Sequence, residues 1–191
     1  QSIITAVAQD QRGLIWVGTM VGLARYDGYR AQVFDTRGGS VLGLPDAYIR
    51  TLLALPDGDL LIGTNAGGLV RFDQASNSFH AYPVGAKGTS DHKIYGLADD
   101  HAGGVWIATD AGLDHFDPRT NAITQLKTGA GTAPRNFSVM QDRAGNLWLG
   151  NNNGLFVRRA GTTTFMRPEH PAGALATVLT NQIWAIHEDH A

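Results

Sequence analysis

Residues 100–117 read DHAGGVWIATDAGLDHFD, and this stretch decides the fold because most of its skeleton recurs three more times. The skeleton is Asp100, Gly103, Trp106, Thr109, Gly112-Leu113 and Phe116-Asp117. An earlier copy places Asp10, Gly13, Trp16, Gly18-Thr19, Gly22-Leu23 and Tyr26-Asp27 in the same order. A second has Gly58, Leu61, Gly63-Thr64, Gly68-Leu69 and Phe72-Asp73, and a fourth has Asp142, Gly145, Trp148, Gly150 and Gly154-Leu155. The positions equivalent to Trp, 16, 61, 106 and 148, are separated by 45, 45 and 42 residues. Self-similarity at a fixed period of this length marks one supersecondary unit per repeat, which needs its neighbours to bury its faces.

Composition agrees with short strands joined by tight turns. Glycine supplies 24 of 191 residues, about 13% against a usual share near 7%. Fifteen Asp stand beside two Glu and three Lys; Asp favours turns and caps, whereas Glu and Lys favour helix interiors. A net charge of −2 and twelve scattered Arg give no footprint for nucleic acid or an anionic membrane surface. With no Cys, disulfides and thiolate chemistry are excluded. No apolar run approaches the ~20 residues of a membrane-spanning helix. The chain starts at Gln1 rather than Met, so a removed signal peptide or an excised segment is expected.

Each copy resolves into four short strands. Apolar anchors fall twelve and nine residues before each Trp position: Ile4 and Val7, Ile49 and Leu52, Ile94 and Leu97, then Val139 alone, because Asn136 breaks the pattern. A second strand carries the Trp position, a third follows Gly-Leu, and a weaker fourth is predicted at 32–34, 79–82, 123–126 and 164–166. Asp-x-x-Gly gives a tight reversal with Gly free to adopt positive φ. The Trp is a large buried wedge between neighbouring sheets. A period in the 40s with four strands is that of a propeller blade. The expected fold is therefore all-β: a β-propeller segment of four four-stranded blades plus the first strand of a fifth, as part of a seven-bladed propeller. The blades are placed at 1–36, 46–83, 92–127 and 135–167, with the next beginning at 181–191, where Ile183, Ile186 and Asp189 repeat Ile94, Leu97 and Asp100. Four blades and one strand leave two faces open, and propellers close into rings, so the chain is expected to be a piece of a longer protein.

These residues resemble the two-component regulator propeller repeat, whose pattern is close to I-x-x-I-x-x-D-x-x-G-x-[IL]-W-[IV]-G-T-x-x-G-L-x-[RY]-[FY]-D. The first copy, WVGTMVGLARYDGYRAQVF, resembles in particular the opening blade of such sensors. Departures are Ala108 for Gly in the third copy, Leu61 and Leu55 for Trp and Asp in the second, and Asn151 and Arg158-Arg159 in the fourth. The resemblance implies the periplasmic sensory region of a protein anchored in the inner membrane, with a cytoplasmic histidine kinase or diguanylate cyclase further along. It implies no catalytic residue in this chain.

Irregular connections at 35–48, 83–93, 127–135 and 167–182 cross from an outer strand to the next inner strand. They share one face with the turns between second and third strands. Candidate ligand-binding residues on that face are Asn65, His92, Tyr95, Asp110, Arg135, Asn152 and Asn153, polar groups suited to hydroxyl-rich ligands. Tyr95 and Trp184 each follow the first anchor of an inner strand, so alternation turns them away from it and toward a free face. Any single one of these polar groups also reads as a solvated turn residue. The cluster His187-Glu188-Asp189-His190 lacks the spacing of a zinc motif, Val84–Ser90 lacks the order of a phosphate loop, and no metal or cofactor is expected.

Three functions follow. The first is a sensor propeller that binds a small molecule, a glycan or a partner domain and performs no chemistry. The second is a lyase of the kind that opens lactone antibiotics, which would require a concentrated His/Glu/metal site; the seven His are scattered at 80, 92, 101, 115, 170, 187 and 190. The third is a protein-interaction scaffold. Open apolar blade faces also lead to an expectation that the segment self-associates head to tail.

Overall fold

A computed structural model describes residues 3–34, 44–126, 135–169 and 179–189. Much of the predicted crossovers (35–43, 127–134 and 170–178), together with His170 and His190, lies outside these residues. The chain divides into two compact units, Gln1–Tyr95 and Gly96–Ala191.

The first unit carries two four-stranded sheets. One consists of β1 (Ile4–Gln9), β2 (Ile15–Thr19), β3 (Gly22–Tyr26) and β4 (Ala31–Phe34); the other of β5 (Ile49–Ala54), β6 (Leu60–Thr64), β7 (Leu69–Asp73) and β8 (Ser78–Ala81). A third sheet is built from β9 (Ile94–Asp99), β10 (Val105–Thr109), β11 (Leu113–Asp117) and β12 (Ala122–Leu126), and the last from β13 (Asn136–Gln141), β14 (Leu147–Asn151) and β15 (Gly154–Arg158). In each sheet the strands follow chain order, and pairs such as β1–β2, β5–β6, β10–β11 and β13–β14 are antiparallel, as in a propeller blade.

At 164–166, where a fourth strand is predicted, the last sheet has a single antiparallel bridge, Val157–Met166. The neighbouring hydrogen-bonded pair would need an N–H at position 168, which is Pro168. In the other direction the Arg159 carbonyl is taken by the Thr162 amide, which closes a turn. Among the described residues the segment 182–189 forms no ladder. It nevertheless sits as a fifth first strand should: the Ile183 amide donates to the Asn151 carbonyl at 3.1 Å, and Ser138 Oγ donates to the Ile183 carbonyl at 3.2 Å.

The Asp-x-x-Gly turns have a second purpose that binds them to the Trp. Gly13, Gly58, Gly103 and Gly145 all take positive φ, between 80° and 98°. In the first sheet Asp10 Oδ1 accepts the amides of Arg12 and Leu14, while Oδ2 accepts Trp16 Nε1 at 2.9 Å and Gln74 Nε2 at 2.8 Å. In the last sheet Asp142 Oδ2 likewise accepts Trp148 Nε1 at 2.7 Å. The second copy lacks both partners. Leu55 and Leu61 are buried there, and the turn closes through its backbone and through Asp57 Oδ1, which accepts the Asp59 amide. Losing the pair together leaves no orphaned donor or acceptor, which is the inexpensive way to lose a buried hydrogen bond. The third copy re-partners: Asp100 Oδ2 takes His115 Nε2 at 2.8 Å, and Trp106 Nε1 donates to Gln141 Oε1 at 2.7 Å.

Sheet alternation separates the faces. Across the first sheet Trp16 lies in the row Ala8–Trp16–Arg25–Gln32, opposite in sense to the row Val7–Val17–Ala24–Val33. The Trp16 face meets the second sheet: the indole is fully buried, 5.1 Å from Phe72 and 5.8 Å from Phe34, in a cluster with Ile49, Leu60, Ile62 and Val70. In the second unit Trp106 packs in the same manner with Val139, Leu147, Leu149 and Phe156. Trp148, whose face has only residues 182–189 near it among those described, is half-buried and borders a 300 Å³ crevice with Met140, Leu155, Ile186 and His187.

Burial alone would push the Asp10 carboxyl up, but hydrogen bonds from Trp16, Leu14, Arg12 and Gln74 together hold it below the usual carboxylate value. Asp142 behaves alike, lowered by Trp148 and Asn146 against the opposing effect of burial. A folded pKa below the unfolded one gives stability that is fully present above the unfolded value, about 3.9. That stability is lost as pH falls through the folded value. Replacing Asp10 by Ala leaves the Trp16 indole N–H buried without its acceptor, and should destabilise the chain at pH 7 by about 1–3 kcal/mol. Urea titrations at pH 7 and pH 3 should give a smaller mutant-to-wild-type difference at pH 3; an equal difference at both would contradict the role assigned to the carboxylate.

Candidate functional site

The residue after the first anchor of each inner strand occupies one repeating position: Thr5, Arg50, Tyr95, Phe137 and Trp184. At this position side chains reach toward the neighbouring inner strand. In the first unit Thr5 Oγ1 donates to the Ile49 carbonyl, and the Arg50 guanidinium lies 4.6 Å from the centre of the Tyr95 ring. In the second unit the Phe137 and Trp184 rings stack at 4.0 Å with an interplanar angle of 10°. Trp184 keeps 58% of its surface exposed, whereas Phe137 is buried.

Around Arg50 the first unit gathers four side chains. The Tyr48 ring lies 4.8 Å from the guanidinium, so the cation contacts both tyrosines. Asn65 Oδ1 accepts from Arg50 Nε at 2.9 Å and from Nη2 at 2.7 Å. The Asn65 amide donates to the Tyr48 carbonyl, which ties the end of β6 to the start of β5. Asp46 accepts the amides of Tyr48 and Ala66 and so orders the turn that carries Tyr48. Of the sequence candidates, Asn65 and Tyr95 are thus brought together through Arg50. His92 is exposed and supplies its backbone carbonyl to the Gly68 amide.

In the second unit Asp110 and Arg135 meet, with Oδ1 to Nε at 3.3 Å. Asn152 and Asn153 are exposed; Asn153 gives its amide to Asn151 Oδ1 and its carbonyl to Arg167 Nη2. Trp184 finds Phe137. Arg50, Tyr48, Phe137 and Arg167 are the participants missing from the candidates read from sequence. Arg50 and Phe137 were legible, since they occupy the same register position as Tyr95 and Trp184. Tyr48 and Arg167 had no such signal, because they are placed by the crossovers.

Two histidines are held by the turns on the opposite face. His115 replaces the indole as partner of Asp100, and a His101 ring nitrogen lies 3.0 Å from the Gln141 carbonyl. Among the described residues no group of three His, Cys, Asp or Glu converges as a metal site.

These sheets and their register define a β-propeller segment. The family described as Two component regulator propeller matches residues 1–20, the opening strands of the first copy. Similar solved structures include two extracellular domains of hybrid two component systems from B. thetaiotaomicron. One is 27% identical with a TM-score of 0.76, covering 95% of this chain and 24% of its own. The other is 20% identical with a TM-score of 0.77, covering 88% and 25%. The chain therefore spans about a quarter of those domains. Virginiamycin B lyase from Staphylococcus aureus has the same fold at 13% identity and a TM-score of 0.67, covering 87% of this chain and 58% of its own. No curated protein matches the chain by sequence.

Proposed function

We propose that this chain is a ligand-sensing segment of the extracytoplasmic propeller of a membrane-anchored signalling protein, a two-component sensor kinase or a diguanylate cyclase, and that it carries out no chemistry itself. The observation that carries this reading is the position after the first anchor of the inner strands. In the first unit it sets Arg50 over the Tyr95 ring, and in the second it stacks the exposed Trp184 on the buried Phe137. Exposed stacked aromatics with nearby amides suit small polar ligands such as sugars. The likeness to extracellular domains of two component systems supports the location and the role. The lyase fold is shared at an identity that speaks for architecture only, and His115 and His101 are engaged in turn structure.

A glycan and metabolite panel on the full chain, read by Trp emission, tests the reading. A ligand should change Trp184 emission, and Trp184→Ala should remove both that response and at least about tenfold of affinity, the loss of one stacking contact. Turnover of a lactone substrate by the same preparation would replace the sensor reading by the enzymatic one.

We also propose that the segment associates with a second copy through the outer face of its first sheet. Val7 and Val33 on that face are 61% and 69% exposed, and Tyr26 and Ile4 are exposed beside them. The equivalent row in the second sheet, Leu52, Ile62 and Val70, is what receives the Trp16 face, so the natural occupant is a Trp-bearing face such as that of Trp148. Light scattering should give a concentration-dependent mass that Val7→Lys with Val33→Glu returns to the monomer. A wild-type monomer throughout the range would contradict the proposal.

A further inference from the structure

Arg50 is held in a way that leaves one direction open. Its guanidinium contacts an aromatic ring on each of two sides, Tyr48 at 4.8 Å and Tyr95 at 4.6 Å. Its Nε and Nη2 are both directed at Asn65 Oδ1, at 2.9 and 2.7 Å. Among the described residues no carboxylate lies within ion-pair distance of it, and Nη1 takes no hydrogen bond. The nearby Asp46 is directed to the backbone amides of Tyr48 and Ala66. What remains is the outer edge of the fork: both N–H of Nη1 and the second N–H of Nη2. A guanidinium pre-organised in this fashion has already lost its rotamer freedom, and its open edge matches a carboxylate bidentately.

The repeat itself provides the comparison. Asn65 and Asp110 occupy the same position 45 residues apart, directly after the second strand. At Asp110 the side chain is a carboxylate, and it pairs with Arg135 at 3.3 Å. At Asn65 the side chain is a neutral amide that orients the cation without cancelling its charge. Arg135 stands at the register position of Tyr48, and the third copy has Tyr95 where the second has Arg50, so the oriented fork is particular to the second copy.

From this geometry we infer that Arg50, oriented by Asn65 and the two tyrosines, is a binding site for the carboxylate of a small ligand. The inference rests on the ligand-sensing reading above and names the chemistry of the ligand. An acidic sugar or another small carboxylic acid meets Arg50 end-on through its two oxygens. Neutral sugars lack that contact.

The test is a titration of the full chain, with 15N-labelled arginine side chains, against D-glucuronate, D-glucose and inorganic phosphate. Arg50→Gln assigns the Arg50 Nε–H resonance by its disappearance. Glucuronate should shift that resonance in a saturable way, and glucose should not. Asn65→Asp, which sets a carboxylate of the same shape against the Arg50 fork, should weaken glucuronate at least about tenfold, as expected for cancelling the charge of a bidentate contact. An unmoved Arg50 resonance, or equal glucuronate affinity in Asn65→Asp, would overturn the inference, and so would phosphate binding as tightly as glucuronate. A neutral glycan that changes Trp184 emission while leaving Arg50 unmoved would overturn the inference but keep the sensor reading. A chain that responds to no ligand at either residue would overturn both.

Discussion

The rest of the structure depends on a notch in the first, second and fourth sheets that receives a branched side chain from the inner strand that follows. The glycine two residues after the Trp position has no side chain because there is no room for one. A Cβ at Gly18 would lie 2.6 Å from Ile49 Cγ2, one at Gly63 2.6 Å from Ile94 Cγ2, and one at Gly150 2.6 Å from Ile183 Cγ2. Such separations are far inside van der Waals contact, so each Ile is a knob seated in a hole of fixed depth. The large indole and phenylalanine rings then fill the wider space farther from the inner strand, as Trp16, Phe34 and Phe72 do. A stiff β-branched side chain on a strand loses little rotamer freedom when it is seated in this way, and close packing makes the fit intolerant of one added methyl.

The same constraint accounts for a coupled departure. The third copy has Ala108 where the others have Gly, and the inner strand that follows it begins with Asn136 where the others have Ile. A filled notch and an altered knob occur together. Read singly, each looks like drift from the pattern; read as two halves of a contact, each explains the other. Leu55 with Leu61 is a second example, in which a hydrogen-bonded pair has become a pair of apolar side chains.

The strands and turns were legible because periodicity, Gly placement and Asp-x-x-Gly record local backbone requirements directly. The positive φ at Gly13, Gly58, Gly103 and Gly145 falls where the turn chemistry demands it. What sequence reading missed depends on partners distant in the chain. It identified Asp10 as a turn residue but not as the acceptor for an indole, and it read Tyr95 without Arg50, although both occupy one register position. The fourth strand of the last sheet was over-read, since Pro168 cannot continue the ladder that the apolar residues at 164–166 suggest. The contacts among the candidate residues of the crossover face are not written in turn composition either. Asp110 finds Arg135 and Trp184 finds Phe137, and those pairings are set by inner-strand geometry rather than by turn composition. The two ends of the strands accordingly have different work. Asp turns anchor rings and build the sheet stack, and the opposite end sets Arg50 over Tyr95 in one unit and Phe137 against Trp184 in the other.

A double-mutant cycle at the first notch tests the central contact most directly. Gly18→Ala should cost about 1–3 kcal/mol by overpacking, and Ile49→Ala about 2–5 kcal/mol by emptying the hole. Guanidinium unfolding of the double mutant should show a cost smaller than their sum by about 1 kcal/mol or more, because the added methyl occupies space that the lost side chain leaves. Additive costs would mean that Gly18 and Ile49 do not share a site, and the packing of one sheet against the next would need another explanation.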